Sequence, residues 1–228
     1  MLERRNGCDI LSRRRKFGPA QRRTVLASKP SVRTQSEMRK VDATGTLLHR
    51  ETSVLLIVDV QERLAPAIST IDMVLAKAGL LIGAASRLGI PIAFTEQYAS
   101  GLGKTLPSLR NLAATAPVIS KIHFQATLEP DLGAWIDTSG ASQIVIAGTE
   151  AHVCVLQTSL GLLEAGYVPF LVADAVGSRR ERDCTLAIER LRSAGCRIVS
   201  TEMVLFEWLK KAATQEFREL LTLIKEEN

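Results

Sequence analysis

Two periods alternate along this chain. From residue 53 onward, short runs of apolar, often β-branched residues are separated by stretches in which apolar residues recur every three or four positions. The first run, SVLLIVDV (53–60), precedes a segment whose apolar positions Met73, Val74, Ala78, Leu81, Ile82 and Ala85 share a helical spacing and end at Leu88-Gly89. Pro91 opens PIAFTE (91–96), and APVISK (116–121) is a third run. QIVIAG (143–148) leads into VCVLQTSLGLLEAG (153–166), whose closing glycine is a helix-stop signal. YVPFLVADAV (167–176) follows, then a helix over 181–194 ended by Gly195, then CRIVST (196–201), then one amphipathic helical region over 203–227.

Strands that are apolar on both faces and alternate with helices predict a parallel sheet covered on both sides. The expected fold is α/β: a Rossmann-like, three-layer α/β/α arrangement with a six-stranded, mostly parallel sheet over residues 46–228. In such doubly wound sheets ligands sit beyond the carboxyl ends of the strands, so reactive residues are expected just after strands.

Composition refines this picture. Hydrophobic residues make up 46% of the chain and aromatic ones 4%, so the core is expected to be built from Val, Ile, Leu and Ala. The net charge of +5 hides an asymmetry. Residues 1–40 carry twelve Lys or Arg against three acids, a local charge of +9, which leaves −4 on the rest. A nucleic-acid partner therefore does not follow from the overall charge. Residues 1–45 lack apolar periodicity and are expected to be a disordered basic extension. Three readings of it stay open: an organelle targeting peptide, which would make the protein mitochondrial; a basic arm through RRRK (13–16); and a non-native extension ahead of Met38. Cys8, Cys154, Cys184 and Cys196 are widely spaced without a CxxC pair, which fits a reducing, cytoplasmic setting. No stretch reaches the roughly 18 apolar residues of a membrane span.

Three residues stand at strand ends. Asp59 closes LLIVD, where a carboxylate is costly unless exposed or paired; singly it reads as well as a helix cap or ion-pair partner. Lys121 ends VISK and alone reads as a solvated lysine. Cys154 opens a helix and alone reads as a small buried hydrophobe. Together they form a chemical set. A thiol of pKa about 8.5 is mostly protonated at neutral pH. A helix N-terminus and a nearby cation favour the thiolate, and a carboxylate can take its proton. The turn GTEAH would aim backbone N–H groups at a developing oxyanion.

LLIVDVQERL, SKIHF and AGTEAHVCVLQT, in that order, resemble the three motifs of the isochorismatase-like cysteine hydrolase superfamily. TEQYASGLGKT (95–105), TEAHVCV (149–155) and TEMVLFEWL (201–209) are similar to the isochorismatase domain-containing proteins and their bacterial relatives. The resemblance spans about residues 46–210. It implies that Asp59 is the general base, that Lys121 holds Asp59 and Cys154 and stabilises negative charge, and that Cys154 attacks a carbonyl carbon to give a thioester. It also implies an oxyanion hole made of the backbone N–H groups of Glu150 and Cys154, with the family's cis peptide corresponding to Thr149–Glu150.

The chain departs from some relatives. Nicotinamidases of this superfamily add a metal site built from an Asp and two His between the first two motifs. Here His49, His123 and His152 all lie elsewhere, so no metal and no cofactor are expected. Isochorismatases proper lack the nucleophilic cysteine. Gln97, Phe124 and His152 are candidates for the substrate pocket, with core packing or a local hydrogen bond as the alternatives for the last two. Tyr98 with the Gly101/Gly103 loop reads as a lid or as an ordinary connection. Cys184 and Cys196 read as structural, and Trp135 and Trp208 as packing or interface residues. The expected function is metal-independent hydrolysis of a small amide, or less favourably an ester, by a homo-oligomer with no membrane or nucleic-acid partner. A non-catalytic scaffold and a redox-sensitive Cys154 are the competing readings.

Overall fold

The computed structural model describes residues 47–226; the basic 1–45 segment, with Cys8 and Met38, lies outside the described residues. Six strands form the sheet: β1 (Ser53–Val58), β2 (Ile92–Gln97), β3 (Val118–Lys121), β4 (Gln143–Thr149), β5 (Val168–Gly177) and β6 (Arg197–Val199). Their order is β3-β2-β1-β4-β5-β6, and every pairing is parallel. The longer helices are α1 (Ile71–Leu88), α2 (Pro130–Ser139), α3 (Leu156–Glu164), α4 (Glu181–Ala194), α5 (Thr201–Leu209) and α6 (Gln215–Glu226).

The unbroken apolar runs are explained by burial on both faces, since all six residues of β1 are buried. Leu55, Ile57, Phe94, Val145 and Phe170 face a core shared with α1, α5 and α6. Val54, Leu56, Ala93, Ile144, Ile146 and Leu171 face a second core shared with α2, α3 and α4. Trp208 fills the first core, fully buried, and its indole N–H donates to Ser53 Oγ at 3.2 Å. It packs rather than forms an interface. Among the described residues no helix is long and apolar enough to cross a membrane.

The C-terminal region differs from expectation. The single amphipathic helix over 203–227 is two helices, because the backbone turns through left-handed conformations at Lys210 (φ 57) and Ala213 (φ 65). The reversal lets Leu220, Phe217 and Ile224 pack back onto the first core. One continuous helix would carry them away from it, and apolar burial outweighs helical continuity.

The strand order reverses direction between β1 and β4, which is the topological switch point. Here the two backbones meet closely. Gly148 has φ 140, and a Cβ at this position would sit against the Val58 carbonyl and amide. A register irregularity between Ile146 and Gly148 shifts β5 against β4 at the same level. Gly148→Ala is therefore expected to cost at least about 2 kcal/mol, from backbone strain plus steric contact. Gly133→Ala in α2, where nothing lies within 4 Å of the added methyl, should instead be neutral or stabilising by up to about 1 kcal/mol. Urea unfolding midpoints measure both; equal effects would contradict the close β1–β4 approach.

Candidate active site

Asp59 leaves β1 in a left-handed conformation (φ 52), one that a short carboxylate side chain tolerates better than most. Its side chain is fully buried between a hydroxyl and a cation. Thr95, at the register-matched end of β2, donates its hydroxyl to Oδ1 at 2.7 Å. The Lys121 ammonium lies 2.7 Å from Oδ2, and both side chains have no solvent exposure. The Asp59 backbone is held as well: its N–H donates to the Thr95 carbonyl (3.2 Å), and its carbonyl accepts the Thr149 hydroxyl (2.6 Å). Three neighbouring strand ends thus hold Asp59, two through its carboxylate and one through its backbone.

Lys121 reaches this position from the end of β3. Its ammonium also donates to Gln97 Oε1 at 2.7 Å and, at 3.4 Å, to the His123 carbonyl. A buried ion pair is tolerated when its other polar atoms find partners. Asp59 Oδ1 and the Lys121 ammonium have them, while Asp59 Oδ2 relies on the ion pair and makes no hydrogen bond among the described residues.

Cys154 sits in a π-helical turn, Ala151–Val155, that precedes α3 and is entered through Glu150 in a left-handed conformation (φ 56). Wide turns of this kind recur at functional positions because they re-aim one side chain out of helical register. The thiol is buried, and the charges of Asp59 and Lys121 both act on it. Burial pushes it up to about 12, the Asp59 charge pushes the same way, and Lys121 pulls against both. The resting thiol is therefore protonated, contrary to the thiolate expected from a helix start beside a cation. Desolvation outweighs both effects. A thiol held this way is a poor peroxide target, which counts against a redox-sensor reading.

Around the nucleophile turn, Glu150 is buried and pairs with Arg179 Nε at 2.9 Å from the loop after β5. His152 Nδ1 faces Ser178 Oγ at 3.0 Å and Glu150 Oε2 at 3.5 Å. Both contacts fall on the same ring nitrogen, so Ser178, His152 and Glu150 do not form a proton relay. His152 makes a local bond there. The backbone N–H groups of Glu150 and Cys154 belong to the opening of this turn, where donors lack a preceding helical turn to pair with.

The pocket candidates separate. Gln97 is buried and spends both ends of its amide, accepting from Lys121 and donating to the Ile122 carbonyl at 2.7 Å. Phe124 is 52% exposed, not core, and its carbonyl accepts from Thr158 on α3 at 3.5 Å. Tyr98, 60% exposed, starts a loop that is pinned rather than lid-like. Glu62 N–H bonds the Lys104 carbonyl, Arg63 N–H the Leu102 carbonyl, and Leu106 N–H the Val60 carbonyl. Thr105 is anchored to Glu96 through both its N–H (2.7 Å) and its hydroxyl (2.9 Å). Among the described residues no three His, Cys, Asp or Glu side chains converge as a metal site.

Four participants escape sequence reasoning: Thr95, Thr149, Gln61 and Arg179. Thr95 and Thr149 matter through strand register, and Arg179 through loop placement; neither leaves a trace in sequence. Gln61 directly follows the DV of the first motif, and that adjacency to Asp59 was its only signal.

The comparisons with known proteins agree with this fold. A model of the isochorismatase domain matches residues 53–203. Isochorismatase domain-containing protein 1 of Danio rerio is 34% identical over 174 residues, covering 76% of this chain and 61% of that protein, so this chain spans less than two thirds of that relative. The structure of the MAR1 ribonuclease from Caenorhabditis elegans overlays with a TM-score of 0.75 at 32% identity, covering 79% of this chain and 93% of the other. The YcaC gene product of Escherichia coli, an octameric hydrolase of unknown specificity, overlays with a TM-score of 0.71 at 23% identity over 81% of this chain and 98% of its own, a likeness of fold. With its domain matched across both edges of the site and its sheet shared with these neighbours, the chain belongs to the isochorismatase family.

Proposed function

We propose that this chain is a cysteine hydrolase that cleaves a small, uncharged amide, and less readily an ester, through a thioester on Cys154. The observation that carries this reading is the convergence of Asp59 and Lys121 on one buried thiol at the β1/β4 switch point. As the sulfur attacks the carbonyl carbon, its proton passes to Asp59. The oxyanion of the tetrahedral intermediate is met by the N–H groups of Glu150 and Cys154, and Lys121 offsets the added charge. Collapse expels the amine, which takes the proton back from Asp59. Water then gives a proton to Asp59 and attacks the thioester, and the departing sulfur is reprotonated. Because the thiol rests protonated, transfer to Asp59 accompanies attack rather than precedes it.

The ribonuclease activity of the nematode neighbour is the second reading, and the charge arrangement disfavours it here. Lys121, His123 and Arg179 are each held by a carboxylate, from Asp59, Glu129 and Glu150 respectively. Phosphate backbones are bound by cations free to contact them. Arg180 and Arg182 are exposed after β5, whereas the surface flanking Lys121 carries Tyr98, Ile122, Phe124 and Leu128 exposed.

A panel of small amides, carbamoyl compounds and esters tests the reading. Cys154→Ala and Asp59→Asn should each lower turnover by about 10³-fold or more, since such groups act as a unit; full turnover in Cys154→Ala would end the mechanism. Single-stranded RNA should not be cut by the wild type in any Cys154-dependent way. The pH dependence has a definite sign. Alkylation of Cys154 by iodoacetamide should keep rising well above pH 9, because burial holds the thiol up to about 12. Asp59→Asn removes a charge that raises the thiol and should move that profile to lower pH, even as it abolishes turnover. Lys121→Met should move it higher. Profiles that coincide across all three proteins would contradict the assigned contacts.

A further inference from the structure

The geometry points to Gln97 as the positioning residue of Lys121, itself held in place by Gln61. This rests on the hydrolase reading above. The Lys121 ammonium lies 2.7 Å from Asp59 Oδ2 as an ion pair and donates to Gln97 Oε1 (2.7 Å) and, more distantly, to the His123 carbonyl (3.4 Å). Gln97 is thus the only close neutral acceptor among these three partners. A rotating ammonium has no preferred heading of its own, so its acceptors set which hydrogens face Asp59 and the thiol.

Gln97 is poorly free to do anything else. Its Nε2 donates to the Ile122 carbonyl at 2.7 Å, which fixes the amide plane and leaves Oε1 turned toward Lys121. Its backbone is clamped by Gln61, fully buried just beyond β1. Gln61 Oε1 accepts the Gln97 N–H (2.8 Å), and Gln61 Nε2 donates to the Gln97 carbonyl (3.1 Å) and the Gly103 carbonyl (2.7 Å). The side-chain amide therefore pairs with residue 97 as a strand would, continuing the β1–β2 ladder past Asp59, where the main chain has left the sheet. The two glutamines form a scaffold for one ammonium: Gln61 holds the backbone of residue 97, and both amide ends of Gln97 reach the second motif. Gln97 touches no reacting atom in this arrangement; it acts through Lys121.

The test uses the full chain and iodoacetamide as the probe, so no substrate is needed. Gln97→Met keeps length and burial but removes both polar ends. It should slow Cys154 alkylation at neutral pH roughly ten- to hundredfold, the scale of a lost hydrogen bond to a buried charge, and move the pH profile upward as Lys121→Met does. The double variant Gln97→Met/Lys121→Met should be no slower than Lys121→Met alone. Thermal midpoints measured alongside separate folding defects from positioning. If Gln97→Met lowers the midpoint but leaves the profile unmoved, or if its effect adds in full to that of Lys121→Met, the positioning role is overturned. If Cys154→Ala keeps full turnover on the amide and ester panel, the hydrolase reading falls, and this inference with it.

Discussion

A carboxylate and an ammonium 2.7 Å apart, both cut off from water, set the terms for the rest of this structure. Removing two charges from water costs several kcal/mol each, and their attraction repays it only if the surrounding hydrogen bonds are complete. The fold supplies most of them from three strand ends: Thr95 and Gln97 from β2, Lys121 from β3 and Thr149 from β4, all gathered about the end of β1. An ordinary sheet has no use for such a pair, since packed apolar groups would serve as well or better. Its retention makes sense as preorganisation for chemistry that moves a proton and creates negative charge in a dry place.

The same burial decides the state of the nucleophile. A more open site would let Lys121 draw out a thiolate, but desolvation wins here and the thiol keeps its proton. Under the proposed mechanism, reactivity depends on Asp59 taking the proton while a carbonyl substrate is fitted against the turn, rather than on a standing anion.

Much of this was legible in the chain. Unbroken apolar runs gave away strands buried on both faces, and the reactive trio could be found because each member sits where a strand stops. Gln61, Thr95, Thr149 and Arg179 were not legible, because their roles arise from which strand lies beside which and in what register. Gln97 was visible as a candidate, but from sequence a glutamine near a site reads as a substrate contact; only its two occupied amide ends reveal a different task. The long C-terminal pattern misled for a related reason. Helical periodicity records which residues are buried, and a chain that doubles back through Lys210 and Ala213 buries them as well as a straight one does.

The strand order has a temporal consequence. β1 lies in the middle of the sheet, with β2 reached soon after it and β4 only after a long detour. Asp59 and its contact Thr149 are 90 residues apart in sequence, a gap of roughly 5 to 20 s during synthesis. For that interval one edge of a fully apolar strand stands open, exposed to wrong partners of its own kind. The insertion of β4 closes that edge and brings Cys154 beside Asp59 in the same movement. Maturation of the centre and protection of the nascent sheet are therefore a single event.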